Sequence, residues 1–347
     1  MSTKLTYKNV HNRFKLNGIH FNGKELCDKA FIFIKEGEIH EKALGTFILE
    51  WFDGKDYIEM TTSGTTGAPK TIQLKKAAMV NSALATGDFF DLKPGDSALH
   101  CLPIQYIAGK MMLVRAFILG LELDYVLPDS HPLDVTGRKY DFAAMVPLQV
   151  EQSLLALDLV KKVIIGGAKI NATLAEKLKA LPIAVYETYG MTETITHIAA
   201  KKVQDMAFTI LPGIAIHTDE RGCLVIDAPR VCDHSLVTND MVNLVDDTHF
   251  IWLGRYDNVI NSGGVKLFPE QIEEKLATAI SHRFFVIGKE DATLGEKLVL
   301  VVESEPYTIA PEVFDRLEKF EKPKEIIFVP HFKETETGKV KRRETLA

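Results

Sequence analysis

The sequence predicts an α/β protein: a large N-terminal domain with a mostly parallel sheet covered by helices, and a small α+β C-terminal domain joined to it by a hinge. Three observations predict this. Between residues 97 and 190, strand-like apolar runs alternate with helix-length segments, the pattern of parallel strands linked by crossover helices. After about residue 205 the texture changes to short hairpin-like strands. At 254–264 the stretch "GRYDNVINSGG" is polar and glycine-rich, as a junction should be. The boundary is therefore placed at 254, giving domains 1–254 and 255–347.

The elements follow in order. "KAFIFI" (29–34) reads as a β-rich run. "DYIEM" and "TIQL" read as strands on either side of "TTSGTTGAPKT" (61–71), and "KKAAMVNSALATGDFF" (75–90) reads as an amphipathic helix. "SALHCLPI" is a buried strand, "GKMMLVRAFILG" a helix and "LDYVL" a strand. "DFAAMVP", "KKVIIGG" and "IAVYETYG" are strands separated by the helices "LQVEQSLLAL" and "NATLAEKLKAL", the second with Asn171 as N-cap. "RGCLVIDAP" and "NLVDDTHFIWLG" read as antiparallel strands. Beyond the junction come a helix ("PEQIEEKLATAI"), two strands ("HRFFVIG", "EKLVLVVES"), a helix ("PEVFDRLEKF") and a strand ("KEIIFVP").

Composition bounds the function. The chain has 347 residues, 46% hydrophobic and 25% charged, with a formal net charge of −6. No basic excess supports nucleic acid as a partner, and "GKVKRR" (338–343) reads as a solvated tail. The four cysteines, Cys27, Cys101, Cys223 and Cys232, form neither a C-x-x-C pair nor a zinc template. Few scattered thiols suggest a reduced, cytoplasmic protein. The N-terminus has no signal-peptide core, and the most apolar run, 111–127, is broken by Arg115, Glu122 and Asp124, so no membrane span is expected.

The stretch 61–71 concentrates small hydroxyl residues, two glycines and one lysine. Gly64 and Gly67 allow sharp turns that expose backbone N–H groups. Thr62, Ser63, Thr65 and Thr66 add hydroxyls and Lys70 a point charge, a set suited to phosphate. On composition alone it equally reads as a Ser/Thr/Gly surface turn. It is not a P-loop, because Pro69 stands at the second glycine position.

The whole string "TSGTTGAPK" resembles the phosphate-binding signature of the adenylate-forming superfamily, the acyl-CoA synthetases, adenylation domains and luciferases. Further resemblances follow in that family's order, over roughly residues 57 to 347. "YGMTE" (189–193) matches its second signature. The resemblance implies Tyr189 on adenine, Gly190 beside it, Thr192 at the α-phosphate and Glu193 holding Mg²⁺; a hard carboxylate oxygen suits that ion. "IIGGAK" (164–169) resembles the adenine-flanking turn, which implies Gly166, Gly167 and Ala168 along the base. "TND" (238–240) resembles T-G-D, with Asn239 where the family has glycine, and makes Asp240 the ribose carboxylate. "GRYDNVINSGG" resembles the hinge, with Arg255 at ribose or phosphate, Asp257 as pivot, and Ser262, Gly263 and Gly264 along the coenzyme A channel. "ETGKVKRR" resembles the C-terminal catalytic motif and makes Lys339 the lysine of adenylation.

The implied activity is an acid–CoA ligase that consumes ATP, needs Mg²⁺ and transfers the acyl group of a small carboxylic acid to coenzyme A through acyl-AMP. "LPIQYIAGKMMLVRAF" (102–117) and "GMTETITHIAAK" (190–201) resemble the o-succinylbenzoate–CoA ligases of menaquinone synthesis. That places Tyr106, Gly109, Arg115 and Thr196 in the acid pocket, with Arg115 near the distal carboxylate. Tyr106 and Ala108 replace the histidine and serine usual there. Because the phosphate loop begins near residue 61, the chain is expected to be a short form lacking much of the usual N-terminal subdomain. The alternatives are an aryl or small-acid ligase of another pathway, and an adenylation module that hands its acyl group to a carrier protein.

Overall fold

In the computed structural model, residues 6–62, 70–334 and 340–346 are described. The chain divides into two units, one of residues 1–170, 178–216 and 226–236, the other of 171–177, 217–225 and 237–347.

The first unit opens with β1 (Lys15–Leu16) and β2 (Ile19–His20), then the helices α1 (Gly23–Glu36) and α2 (Ile39–Phe52). The expected strand at 29–34 is therefore the middle of α1. Two local signals override its β-rich composition. Asn22 Oδ1 accepts from the Lys24 and Glu25 backbone N–H groups, while Glu25 Oε2 accepts from Asn22 N at 2.8 Å, a complete capping box. Leu26, Ala30 and Phe33 then recur at helical spacing as the buried face. α2 packs closely on α1 at Gly45, where a Cβ would stand 2.6 Å from the Ala30 carbonyl oxygen.

Next come the hairpin strands β3 (Tyr57–Thr62) and β4 (Lys70–Lys75), with Thr62 paired to Lys70, and then α3 (Lys76–Phe90). α3 is buried on most sides rather than one face, so its expected amphipathic character is not found. Its first residue, Lys76, is fully buried. The Lys76 ammonium donates at 2.7 Å to Glu50 O, Asp53 Oδ1 and Lys55 O, fixing the end of α2 to the start of α3. Lys76→Ala would strand the Asp53 carboxylate and two carbonyls. It is expected to cost about 3 kcal/mol, read as a lower urea midpoint with an unchanged m-value.

The frame of the unit continues through β5 (Ser97–His100), α4 (Ile107–Leu119), β6 (Glu122–Tyr125), β7 (Tyr140–Met145), α5 (Pro147–Gln152), β8 (Val160–Ile165), α6 (Ala172–Lys179), β9 (Ala184–Gly190), β10 (His197–Lys202) and β11 (Phe208–Ile210). Strands β1, β6, β5, β7, β8 and β9 lie parallel in that order, with β10 and β11 added antiparallel beyond β9 and β2 antiparallel outside β1. The buried runs "FAAM" in β7 and "VII" in β8 are what a parallel sheet covered on both faces requires. The helix expected from "LQVEQSLLAL" stops at Gln152 and resumes as a 3-10 turn over Leu154–Leu159. Asn171 does cap α6: its Oδ1 accepts from Leu174 N at 2.8 Å.

The division between units falls within α6, β12 (Ala215–Thr218) and β13 (Cys223–Asp227), and after Leu236, the first residue of the next strand. The second unit carries the antiparallel pair β14 (Leu236–Asp246) and β15 (His249–Arg255), as the sequence predicts. It then forms a five-stranded sheet from β16 (Ile260–Ser262), β17 (Val265–Leu267), β18 (Phe284–Asp291), β19 (Gly295–Glu303) and β20 (Glu325–Val329). α7 (Pro269–Leu276) lies between β17 and β18, and its Ile272 and Leu276 join Val286, Leu298, Leu300 and Val302 in one core. The segment 311–320 is not an α-helix: it makes a 3-10 turn over Pro311–Arg316. The short α8 (Arg342–Thr345) ends the described chain. Among the described residues no helix is long and apolar enough to cross a membrane.

Candidate active site

The C-terminal ends of parallel strands form one rim, the place where such sheets bind ligands. Two of the predicted segments lie there, the turn after β8 and the stretch 189–193 at the end of β9. The turn Gly166–Ala168 follows β8, with Gly167 at φ +84°. Thr188 of β9 donates to Ile165 O at 2.9 Å, and a Cβ on Gly166 would stand 2.8 Å from that hydroxyl. Any side chain at 166 would displace the bond that ties the turn to β9. Gly167 and Ala168 are exposed. Tyr189, near the end of β9, packs its ring against Phe208 at 6.0 Å between centroids.

Gly190 ends β9 in a still tighter place, since a Cβ there would lie 2.4 Å from Thr196 O. Thr192, Glu193 and Thr194 form a 3-10 turn. The buried Thr194 hydroxyl joins Met191 O at 2.9 Å and Thr196 O at 2.7 Å. Glu193 is exposed, with its carboxylate free of the sheet's packing.

Ile195 has φ +66° and ψ −58°, and Thr196 N donates to Thr194 O at 2.7 Å. This is a γ-turn of the positive-φ kind, which a β-branched residue tolerates at a cost of about 1–3 kcal/mol. The Ile195 side chain, 1% exposed, holds it there. The strained turn re-aims the chain so that Thr196 and His197 face α3 and α4. No periodicity in the sequence announces it.

Arg115 of α4 is 1% exposed. Its guanidinium meets only neutral groups: Thr86 Oγ1 at 3.4 Å, Met112 Sδ at 3.6 Å and Thr196 Oγ1 at 3.5 Å. Among the described residues no carboxylate pairs with it. Burial pushes the Arg115 guanidinium down to about 9, which still leaves it a cation at neutral pH. His197 lines the same cluster, 3.4 Å from both Thr86 Oγ1 and Thr196 Oγ1. Burial first, and the Arg115 charge second, hold this imidazole well below its ordinary range, so it is neutral. Beside it opens a small cleft, lined among others by Ser82, Asp88, Thr194, His197 and Arg230.

The structure thus brings Arg115 and Thr196 together, with Thr86 and His197, which the sequence did not single out. Gly109 is buried in the first turn of α4, where a Cβ would stand 2.3 Å from Pro103 O. Tyr106, at the N-cap of α4, is 63% exposed and has no contact with the Arg115 cluster among its described bonds. Cys101, just before this segment, is fully buried; its thiol lies 3.5 Å from Ala144 O, and burial pushes it up to about 12.

The second unit holds the remaining described residues. Asp240 is 8% exposed and lies opposite Arg255 in the β14–β15 register. Its Oδ1 accepts from Trp252 Nε1 at 3.2 Å and stands 3.7 Å from Arg255 Nη1. Arg255 also lies 3.8 Å from Asp257, which is well exposed. Ser262 is buried, and Gly263 and Gly264, at φ +59° and +82°, join β16 to β17 as a two-residue turn. Both positive φ values are those of the tight hairpin turn that favours glycine. Ser63, Gly64, Thr65, Thr66, Gly67 and Lys339 lie outside the described residues; Thr62 and Lys70 mark the ends of the β3–β4 hairpin.

The rim thus carries the Tyr189 ring, the exposed Glu193 carboxylate and two glycine turns at the ends of parallel strands. The model of the AMP-binding enzyme family matches residues 48–223, and the chain belongs to that family. A solved acyl-CoA synthetase (AMP-forming)/AMP-acid ligase II-like protein from Dyadobacter fermentans is 38% identical, with a TM-score of 0.62 over 89% of this chain and 94% of that one. The 2-succinylbenzoate–CoA ligase of Bacillus cytotoxicus is 27% identical over 82% of this chain and 68% of its own length. The O-succinylbenzoate coenzyme A synthetase of Bacillus subtilis, solved with ATP and magnesium, shares the fold at TM-score 0.70 and 22% identity, over 83% of this chain and 69% of that one.

Proposed function

We propose that the protein is an AMP-forming acid–CoA ligase whose acid is o-succinylbenzoate, as in menaquinone synthesis. The observation that carries the choice of acid is Arg115, a buried cation that no carboxylate among the described residues pairs with. Burying a charge without a partner is costly, and a ligand carboxylate would complete the site. The named relatives, 2-succinylbenzoate–CoA ligases, support the same reading.

Two half-reactions are implied. One carboxylate of the acid attacks the α-phosphorus of ATP, forming acyl-AMP and releasing pyrophosphate. The coenzyme A thiolate then attacks the acyl carbonyl, and AMP leaves. Neither step asks the protein for covalent chemistry, so positioning and charge stabilisation carry both. We assign adenine to Tyr189, Gly190 and the turn Gly166–Ala168, the α-phosphate to Thr192, and the β- and γ-phosphates to Thr62–Gly67 with Lys70. Asp240 and Arg255 take the ribose. Glu193, an exposed hard-oxygen ligand, fits Mg²⁺, which when bound neutralises phosphate charge. Lys339 orients the attacking carboxylate and steadies the bridging oxygen. Arg115 and Thr196 hold the distal carboxylate, with Gly109 and Tyr106 on the acid-pocket segment.

The domains are 1–254 and 255–347, with Asp257 as the pivot that exchanges Lys339 for Ser262–Gly264 between the steps. A cytoplasmic location fits the free thiols at Cys27, Cys101, Cys223 and Cys232. The test is pyrophosphate release with Mg-ATP, coenzyme A and a panel of o-succinylbenzoate, benzoate, a coumarate and acetate. Turnover confined to o-succinylbenzoate is expected. Turnover on another acid keeps the ligase and discards the acid, and a single burst of pyrophosphate that coenzyme A does not turn into steady turnover would favour transfer to a carrier.

A further inference from the structure

Arg221 is the most fully engaged arginine of the second unit. An Asp219 turn fixes its backbone: Asp219 Oδ1 accepts from Arg221 N and Cys223 N, both at 2.9 Å. Its guanidinium then reaches four groups. Nε donates to Asp219 Oδ2 at 2.8 Å, Nη1 to Asn239 Oδ1 at 3.0 Å and Nη2 to Thr238 O at 3.1 Å. The plane lies over the Tyr256 ring at 5.1 Å. The Asn239 amide is used from both ends, because its Nδ2 donates to Asp257 Oδ2 at 3.3 Å.

The contacts converge on two segments eighteen residues apart, Thr238–Asn239 and Tyr256–Asp257. One carries Asp240 and the other is the pivot. We propose that Arg221 and Asn239 form a latch that holds the pivot carboxylate against the ribose strand, and that releasing it is part of the exchange between the two half-reactions. This rests on the reading of Asp257 as the pivot.

The guanidinium is suited to the task. It is planar and always charged, and it meets a carboxylate, an amide oxygen, a carbonyl and a ring face at once. Lysine offers one point charge and cannot make that set. Of the two latch residues, Asn239 is the one bonded to Asp257, whose carboxylate Arg255 also approaches at 3.8 Å. Arg221 sets the strand from which that bond is made. Neither touches the reacting atoms, so both are positioning residues.

The experiment measures the two half-reactions separately: pyrophosphate release from acid and Mg-ATP, and thioester formation from supplied acyl-adenylate and coenzyme A. In Asn239→Ala the ratio of the two rates is expected to move about two- to tenfold, the factor one net hydrogen bond is worth. The KM for ATP should stay unchanged, because Trp252 and Thr238 still hold Asp240. In Arg221→Lys the ratio should move in the same direction and the KM for ATP should rise as well. Equal loss in both halves, or an unchanged ratio, overturns the latch. Asp257→Ala separates the two ideas: if it shifts the ratio and Asn239→Ala does not, only the latch fails; if Asp257→Ala leaves the ratio unchanged, the pivot fails too.

Discussion

Lys339→Ala is expected to lower acyl-AMP formation by about 10²–10³-fold while leaving thioester formation from supplied acyl-adenylate within a few-fold of the parent enzyme. The reason is that, on the proposed exchange about Asp257, Lys339 stands at the attacking carboxylate and the α-phosphate only in the first half-reaction and has been replaced by Ser262–Gly264 when AMP leaves in the second. A preorganised cation placed there contributes to that transition state and to no other. The measurement is single-turnover pyrophosphate release set beside thioester formation on one protein preparation. A loss shared by both halves would remove Lys339 from its role, since a fold defect or a general binding defect strikes both. Arginine at 339 should not rescue, because a rigid fork does not replace a compact ammonium.

Arg115→Ala is expected to cut kcat/KM for o-succinylbenzoate by about 10–100-fold, the worth of a charge-assisted hydrogen bond in a buried site. Benzoate-type acids that lack the second carboxylate should change by no more than about threefold. Equal losses on both would dismiss the pocket assignment. The same residue makes a second claim in the opposite direction. An unpaired buried cation destabilises the ligand-free fold, so Arg115→Met, similar in length and apolar, should raise the melting temperature as it lowers activity. The remaining cluster stays satisfied, because Thr86 and Thr196 both lie 3.4 Å from His197 ring nitrogens. A melting temperature that falls sharply would mean that Arg115 is a packing residue after all.

The parallel frame was legible because its strands are apolar throughout and its helices have the right length, and the signature strings were legible because each keeps its residues within a dozen positions. What escaped was set elsewhere. "KAFIFI" misled because β-rich composition was weighed without the capping box seven residues before it, at Asn22 and Glu25. The buried Arg115 was placed by its motif, yet its partner Thr86 comes from another helix and carries no local mark. The γ-turn at Ile195 belongs to neither the helical nor the strand period, so pattern reading has no term for it. Arg221 escaped for a similar reason: beyond Asp219, its partners Thr238, Asn239 and Tyr256 are distant in sequence.

The burial of Cys101 has a consequence for reactivity. Acyl-AMP is a mixed anhydride, and a thiolate beside it would take the acyl group in place of coenzyme A. With its thiol pushed up to about 12 by burial and held against Ala144 O, Cys101 stays a neutral thiol at neutral pH. A thiol in that state is a poor nucleophile, so Cys101 is expected to resist acylation and thiol-directed labels alike.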